Sequence, residues 1–196
     1  MGQTSAIQGS ARQTRCRDLW GGYCSVLVGP PDWSHDRHPD VPATQRAASD
    51  RRTPPEVITW LATQGVCRVR VAENPSTPPE VLAQLALSPF IDIIWEIAGN
   101  PNTPPDALER HSQNRNVVMT NIRTRVAENP NTLTSTLERL ARDEYPSVRL
   151  RVALSDHTPL AVLELLLGDS NREVAAAAAF HPAMPASSRA MWQLAQ

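Results

Sequence analysis

Apolar positions in this chain recur as short clusters separated by polar corners. In Arg68–Ala86, RVRVAENPSTPPEVLAQLA, the first cluster is Val69, Val71 and Ala72, and the second is Val81, Leu82, Leu85 and Ala86. The second set is spaced i, i+1, i+4, i+5 and so lies on one face of a helix. The first set belongs to a short helix that has to stop at Asn74. The residue before a proline is pushed out of the helical region, and Pro75 has no N–H with which to continue the ladder. After the turn, Thr77 is expected to N-cap a second helix, with Pro78 at its first position and Glu80 closing a capping box. The predicted unit is helix, sharp corner, helix.

That unit returns through most of the chain. Its corner residues align as Asp50, Asn74, Asn100, Asn129, Ser155 and His181, at separations of 24, 26, 29, 26 and 26 residues. Three positions before each corner stand Ala47, Val71, Ile97, Val126, Val152 and Ala178, and the next residue is alanine in all six units: Ala48, Ala72, Ala98, Ala127, Ala153 and Ala179. An invariant alanine marks a layer too close to its neighbour for anything larger, since an added methylene in a packed interface costs about 1–3 kcal/mol. Thr53, Thr77, Thr103, Thr132 and Thr158 repeat the expected capping position. The unit ending at Asn129 is stretched, and its HSQNRN segment sets His111 and Ser112 where other units have Leu–Ala, so a bulging loop is expected there. His181, in place of a corner asparagine, should hydrogen-bond the turn. Ser187 and Ser188 are expected to cap a last helix carrying Met191, Leu194 and Ala195, out of register as a terminal cap would be.

Residues 1–41 differ from the repeat region at 42–196. They are polar and aperiodic, which predicts irregular or disordered chain with Ser25–Val28 as a weak strand. Cys16, Cys24, His35 and His38 are spaced C-x7-C-x10-H-x2-H, which matches no closed zinc pattern, so no metal is assigned. Three cysteines at irregular separations give no disulfide framework, and Cys67 falls at a core-facing position of the repeat. No apolar run approaches the ~18 residues that cross a bilayer, and no secretory hydrophobic region is present. A cytoplasmic location and no membrane partner are expected. Aromatic residues make up only 5% of the chain, and its apolar content of Ala, Val, Leu and Ile suits thin helical layers stacked closely. The formal net charge of −1 gives no general pull toward nucleic acid.

The line VR-x-x-VA-x-NP-x-TP-x-x-x-L-x-x-LA, carried in variants by Val69–Ala86, Ile122–Ala141 and Val148–Leu166, resembles the leucine-rich repeat variant family. Its most specific elements are the NP-x-T corners at Asn74, Asn100 and Asn129, and the likeness extends from about Val41 to Gln196. The resemblance implies an all-α, right-handed solenoid of alternating α- and short 3₁₀-like helices, about six repeats here, without strands and akin to HEAT and armadillo arrays. The family's founding architecture also carries an N-terminal cysteine-ligated iron–sulfur module. Only Cys16 and Cys24 lie upstream of the repeats, whereas a cubane cluster needs four thiolates. No cofactor is therefore expected.

The candidate binding residues are a row of arginines. Arg46, Arg70, Arg125 and Arg151 stand four positions before their corners, with Glu96 and Ala177 interrupting the row, while Arg68, Arg123 and Arg149 stand six before. Stacked guanidinium groups of this kind suit phosphates or an acidic peptide. Against that, the same units carry Glu73, Glu128, Glu138, Asp143, Glu144 and Glu173, and from Val41 onward fifteen Arg face sixteen Asp and Glu. Pairing between repeats is the plainer expectation, and no aromatic residues interleave as they do on base-stacking platforms. Phosphate loops, nucleophile elbows, HExxH pairs and paired-carboxylate signatures are all missing from the sequence, so no enzyme is expected. His111 and His157 read as satisfied surface groups, and Trp60, Trp95 and Trp192 as packing residues. The expected function is a non-enzymatic scaffold that binds a protein along one face; the alternative is nucleic-acid or anion binding through the arginine row.

Overall fold

A computed structural model describes residues 41–194 of the chain. The expected irregular segment, the weak strand at Ser25–Val28 and the set Cys16, Cys24, His35 and His38 lie outside the described residues. Backbone contacts divide the chain into Met1–Arg46 and Ala47–Gln196. Every described element is helical. In order they are α1 (Val41–Ser49), α2 (Pro55–Thr63), α3 (Arg68–Glu73), α4 (Pro79–Leu85), α5 (Ile91–Gly99) and α6 (Pro105–Ser112). A 3₁₀ turn (Val117–Met119) then precedes α7 (Thr120–Glu128), α8 (Thr134–Leu140), α9 (Pro146–Leu154), α10 (Leu160–Leu167), α11 (Arg172–Phe180) and α12 (Ala186–Leu194).

The helices that end at corners pack in series: α3 on α5, α5 on α7, α7 on α9 and α9 on α11. The helices that follow the corners form the other layer, with α2 against α4 and α6 against α8. Between the layers the alanine column, Ala48 to Ala179, is fully buried, as are Val71, Ile97, Val126 and Val152. Leu82, Leu108, Leu137 and Leu163 close the core from the other side.

Both helices of each unit are α-helical, and 3₁₀ character is concentrated where the corner helices stop. Asn100 N–H donates to Ile97 O, Asn129 N–H to Val126 O, and His181 N–H to Ala178 O, all i→i+3 bonds that tighten the last turn. A further i→i+3 bond then spans each corner, from Thr77 N–H to Asn74 O and from Thr103 N–H to Asn100 O.

The threonines do a different job from the one their spacing predicts. The residue at the N-cap is the next one along, Pro54, Pro78, Pro104, Leu133 or Pro159, and no side chain caps these helices. Each threonine hydroxyl instead donates backward over the corner: Thr53 to Ala47 O, Thr103 to Ile97 O, Thr132 to Val126 O and Thr158 to Val152 O, all at 2.6 Å. Thr77 reaches Val71 O in the same way. The reason is burial. A helix C-terminus leaves carbonyls without intrahelical partners, and here that end lies in the core while the start of the following helix is open to water. Glu80 stays exposed and closes no capping box.

Other departures are local. Cys67 packs against the core as expected but is only half-buried, in a left-handed conformation (φ 54°) at the start of α3. Ser187 and Ser188 fall inside the first turn of α12, a helix with no buried residue, and the buried side chain of that end is Met184. The stretched unit does bulge, as a loop over residues 113–116 that runs into the 3₁₀ turn.

Candidate functional site

The corner residues form hydrogen-bonded joints between repeats. Asn74 Nδ2 donates to Ala48 O (2.8 Å) and Asp50 O (2.9 Å), and its Oδ1 accepts from Ser76 N–H (2.9 Å). Asn100 grips Ala72 O and Asn74 O at 2.7 and 2.8 Å, and Asn129 grips Ala98 O and Asn100 O at 2.9 and 2.8 Å. The amide suits this because it supplies two N–H donors and an acceptor at once. At Ala48, Ala72, Ala98 and Ala127 the column carbonyl is thus approached by the next repeat's side chain as well as its helix. Ser155, with one hydroxyl proton, grips a single carbonyl of the preceding repeat, Ala127 O (2.7 Å). His181 bonds the turn as expected: Nδ1 accepts from Ala183 N–H (3.1 Å), which leaves Nε2–H to donate to Ser155 O (3.2 Å). At the far end Arg189 Nε donates to Ala179 O (3.1 Å) and its guanidinium stacks on Phe180, 5.8 Å from the ring centre. Asp50 holds its own corner by accepting Arg52 N–H at 2.8 Å.

Every arginine of the proposed row within Ala47–Gln196 has an acidic partner. Arg151 pairs with Glu128 of the preceding repeat (2.9 Å), Arg125 lies 3.6 Å from Glu96 of the preceding repeat, and Arg70 pairs with Glu73 one turn away (2.8 Å). Arg46 is exposed in the last turn of α1. Arg125 also lies over the Trp95 ring, 4.6 Å from its centre. Gly99 makes that possible, for a Cβ there would collide with the Arg125 guanidinium. Burial pushes the Glu96 carboxyl up from its ordinary value, and Arg125 offsets part of that rise.

The arginines six before the corner behave differently. Arg123 is fully buried, with Nε 2.8 Å from Asp143 Oδ2, Nη2 3.2 Å from Oδ1, Nη1 2.7 Å from Asn114 O, and the Tyr145 ring 5.6 Å away. Arg149 makes the same two-pronged contact with Asp169 at 2.6 and 2.9 Å, and this bond holds the Asp169 carboxyl below its ordinary range. These forks are structural ion pairs; the signal for them was the repeated Arg and Asp in register, which mere charge counting hides. A third pair joins α6 to α8. Arg139 contacts both oxygens of Glu109 (2.6 and 3.0 Å), and with Thr136 it holds the Glu109 carboxyl down at about 2 from an ordinary 4.5.

His111 is buried, contrary to the surface role expected of it. It occupies the leucine position of the stretched unit, bonds the Ala86 backbone, and leaves Nε2 without a partner; burial, with Arg110 adding to it, pushes its pKa below 6.5. His157 Nδ1 lies 3.4 Å from the Ser155 hydroxyl, and burial lowers its pKa as well. Trp60 and Trp95 pack against the core, and Trp192 meets Phe180 edge-on at 6.0 Å.

Large apolar side chains are exposed at Leu154, Phe180, Met191 and Leu194, and also in two successive loops of the stack. Leu87 and Phe90, between α4 and α5, are 70% and 60% exposed, and Val117 and Val118, just before α7, are 62% and 59% exposed. An open cleft of about 510 Å³ lies between α10 and α12, lined by Glu164, Leu167, Gly168, Met191 and Trp192 among others. Among the described residues no group of His, Cys, Asp and Glu could hold a metal ion, and no helix is long and apolar enough to cross a membrane. No protein-family model, curated protein or solved structure matches the chain.

Proposed function

We propose that the chain is a non-enzymatic helical-repeat scaffold of the leucine-rich repeat variant type that binds a protein partner along one face of the stack. What supports this is the exposure of Leu87, Phe90, Val117 and Val118 in the loops that lead into α5 and α7, two helices packed on each other. Phosphate binding through the arginine row is less favoured, because Arg70, Arg125 and Arg151 already have carboxylate partners that a nucleic acid would have to displace.

Partner capture from cells of the source organism, followed by reconstitution with the purified partner, tests the proposal. Binding should survive Arg125→Ala combined with Arg151→Ala and be lost with Phe90→Ser combined with Val118→Ser. The opposite pattern, or DNA binding at low salt that falls steeply as salt rises and disappears with the arginine variant, would transfer the function to nucleic acid.

A further inference from the structure

We infer that Arg68 and Ser88 form an open receptor for a carboxylate of the protein partner, at a joint where the arginine–aspartate fork is built without its acid. The inference rests on the protein-binding function proposed above and names the chemistry of its contact.

The two complete forks share one arrangement. The arginine stands six residues before its corner (Arg123 before Asn129, Arg149 before Ser155), and the aspartate stands twelve before the next corner (Asp143 before Ser155, Asp169 before His181). In each, aspartate Oδ1 also accepts the backbone N–H two residues on: Tyr145 at 3.0 Å and Asn171 at 2.8 Å. At the joint between Asn74 and Asn100 the corresponding residues are Arg68 and Ser88. Ser88 Oγ takes over the local contact, accepting Phe90 N–H at 3.3 Å, but it has no second oxygen for the guanidinium.

Arg68 is left exposed, whereas Arg123 is fully buried and Arg149 nearly so. Among the described residues it has no ion pair, and Asp92, the nearest acid along the following helix, makes none with it. The stack has no need of this arginine, since Asn100 already closes the same joint with two hydrogen bonds. A planar guanidinium with its fork unfilled matches a carboxylate in two-point contact. Leu87 and Phe90, flanking the site in sequence and both exposed, supply the apolar contact on either side. Phe90 holds the position from which Tyr145 covers Arg123, yet no ring contact ties it to Arg68. The ligand that fits is an acidic side chain or chain terminus set between apolar residues.

The test uses the full chain and a fluorescein-labelled decapeptide alternating leucine and glutamate, with the leucine–glutamine peptide as control. The glutamate peptide should bind about tenfold more tightly than the control, as a charge-assisted two-point contact requires. Arg68→Gln should abolish the preference. Ser88→Asp should abolish it too, while raising the thermal midpoint, because it completes the fork internally. Equal affinity for the two peptides, a preference that survives both substitutions, or displacement by inorganic phosphate more readily than by acetate would overturn the inference. If the preference is absent while capture of the native partner still depends on Phe90 and Val118, only the carboxylate receptor falls and the scaffold function stands.

Discussion

The joints of the stack are closed in two ways. From Asp50 to Asn129 each corner amide donates to two carbonyls of the repeat before it, and no arginine–aspartate fork accompanies it. From Asn129 to His181 the corner residue makes one such bond, and a fork closes the same joint: Arg123–Asp143 beside Ser155, Arg149–Asp169 beside His181. The two devices stand in for one another, but their energetics differ. Amide bonds to carbonyls exchange one neutral partner for another and contribute a little each. A buried ion pair gains little net, because desolvation offsets attraction, yet breaking it leaves an uncompensated charge.

The largest effect should follow from breaking a fork one-sidedly. Arg123→Ala strands the buried Asp143 and should cost about 3–5 kcal/mol in urea denaturation. Arg123→Ile with Asp143→Val should recover most of that, since the joint before it carries Ile94 and Val117 at the same positions. An unrecovered double variant would show that the fork does more than fill space. Next comes the amide: Asn100→Ala leaves the Ala72 and Asn74 carbonyls without it and should cost about 2–4 kcal/mol, with Asn100→Ser intermediate. Smaller again, and of opposite sign, Ser155→Asn should add about 0.5–1.5 kcal/mol by gripping the Asn129 carbonyl as well as that of Ala127. No gain there would mean that the forked joint is spaced too widely for an amide.

The pH response should come last in size. His111 is held neutral by burial, so its pKa is lower folded than unfolded; its contribution is complete above 6.5 and is lost as pH falls below that value. His111→Leu should flatten the thermal midpoint across pH 7 to about 5 and raise it overall. Glu109 gives a second window, with stability present above 4.5 and lost as pH falls toward about 2, and Glu109→Gln should remove it.

Most of the fold was legible because prolines and alanines act locally. Pro75 dictates where α3 stops whatever surrounds it, and a column of six alanines admits only close layers. The partners of polar groups were not legible, because they depend on which end of a helix is buried. Thr77 looks like a cap in sequence and is drawn backward by a carbonyl in the core. Arg123 and Arg70 differ by little on paper, yet one is wholly enclosed and the other lies in solvent, a distinction made by Asp143 twenty residues downstream of Arg123. His111 was misplaced for the same reason: a leucine position accepts an imidazole when a neighbouring backbone offers it a bond.

Arg189 carries the hydrogen-bonding scheme of the corners past the last of them. Four of the alanine carbonyls, those of Ala48, Ala72, Ala98 and Ala127, are taken by the following corner. On Ala179 the oxygen is already occupied by a guanidinium from α12, backed by Phe180. A side chain from outside the corner register thus does for α11 the work that corner residues do for the helices before it.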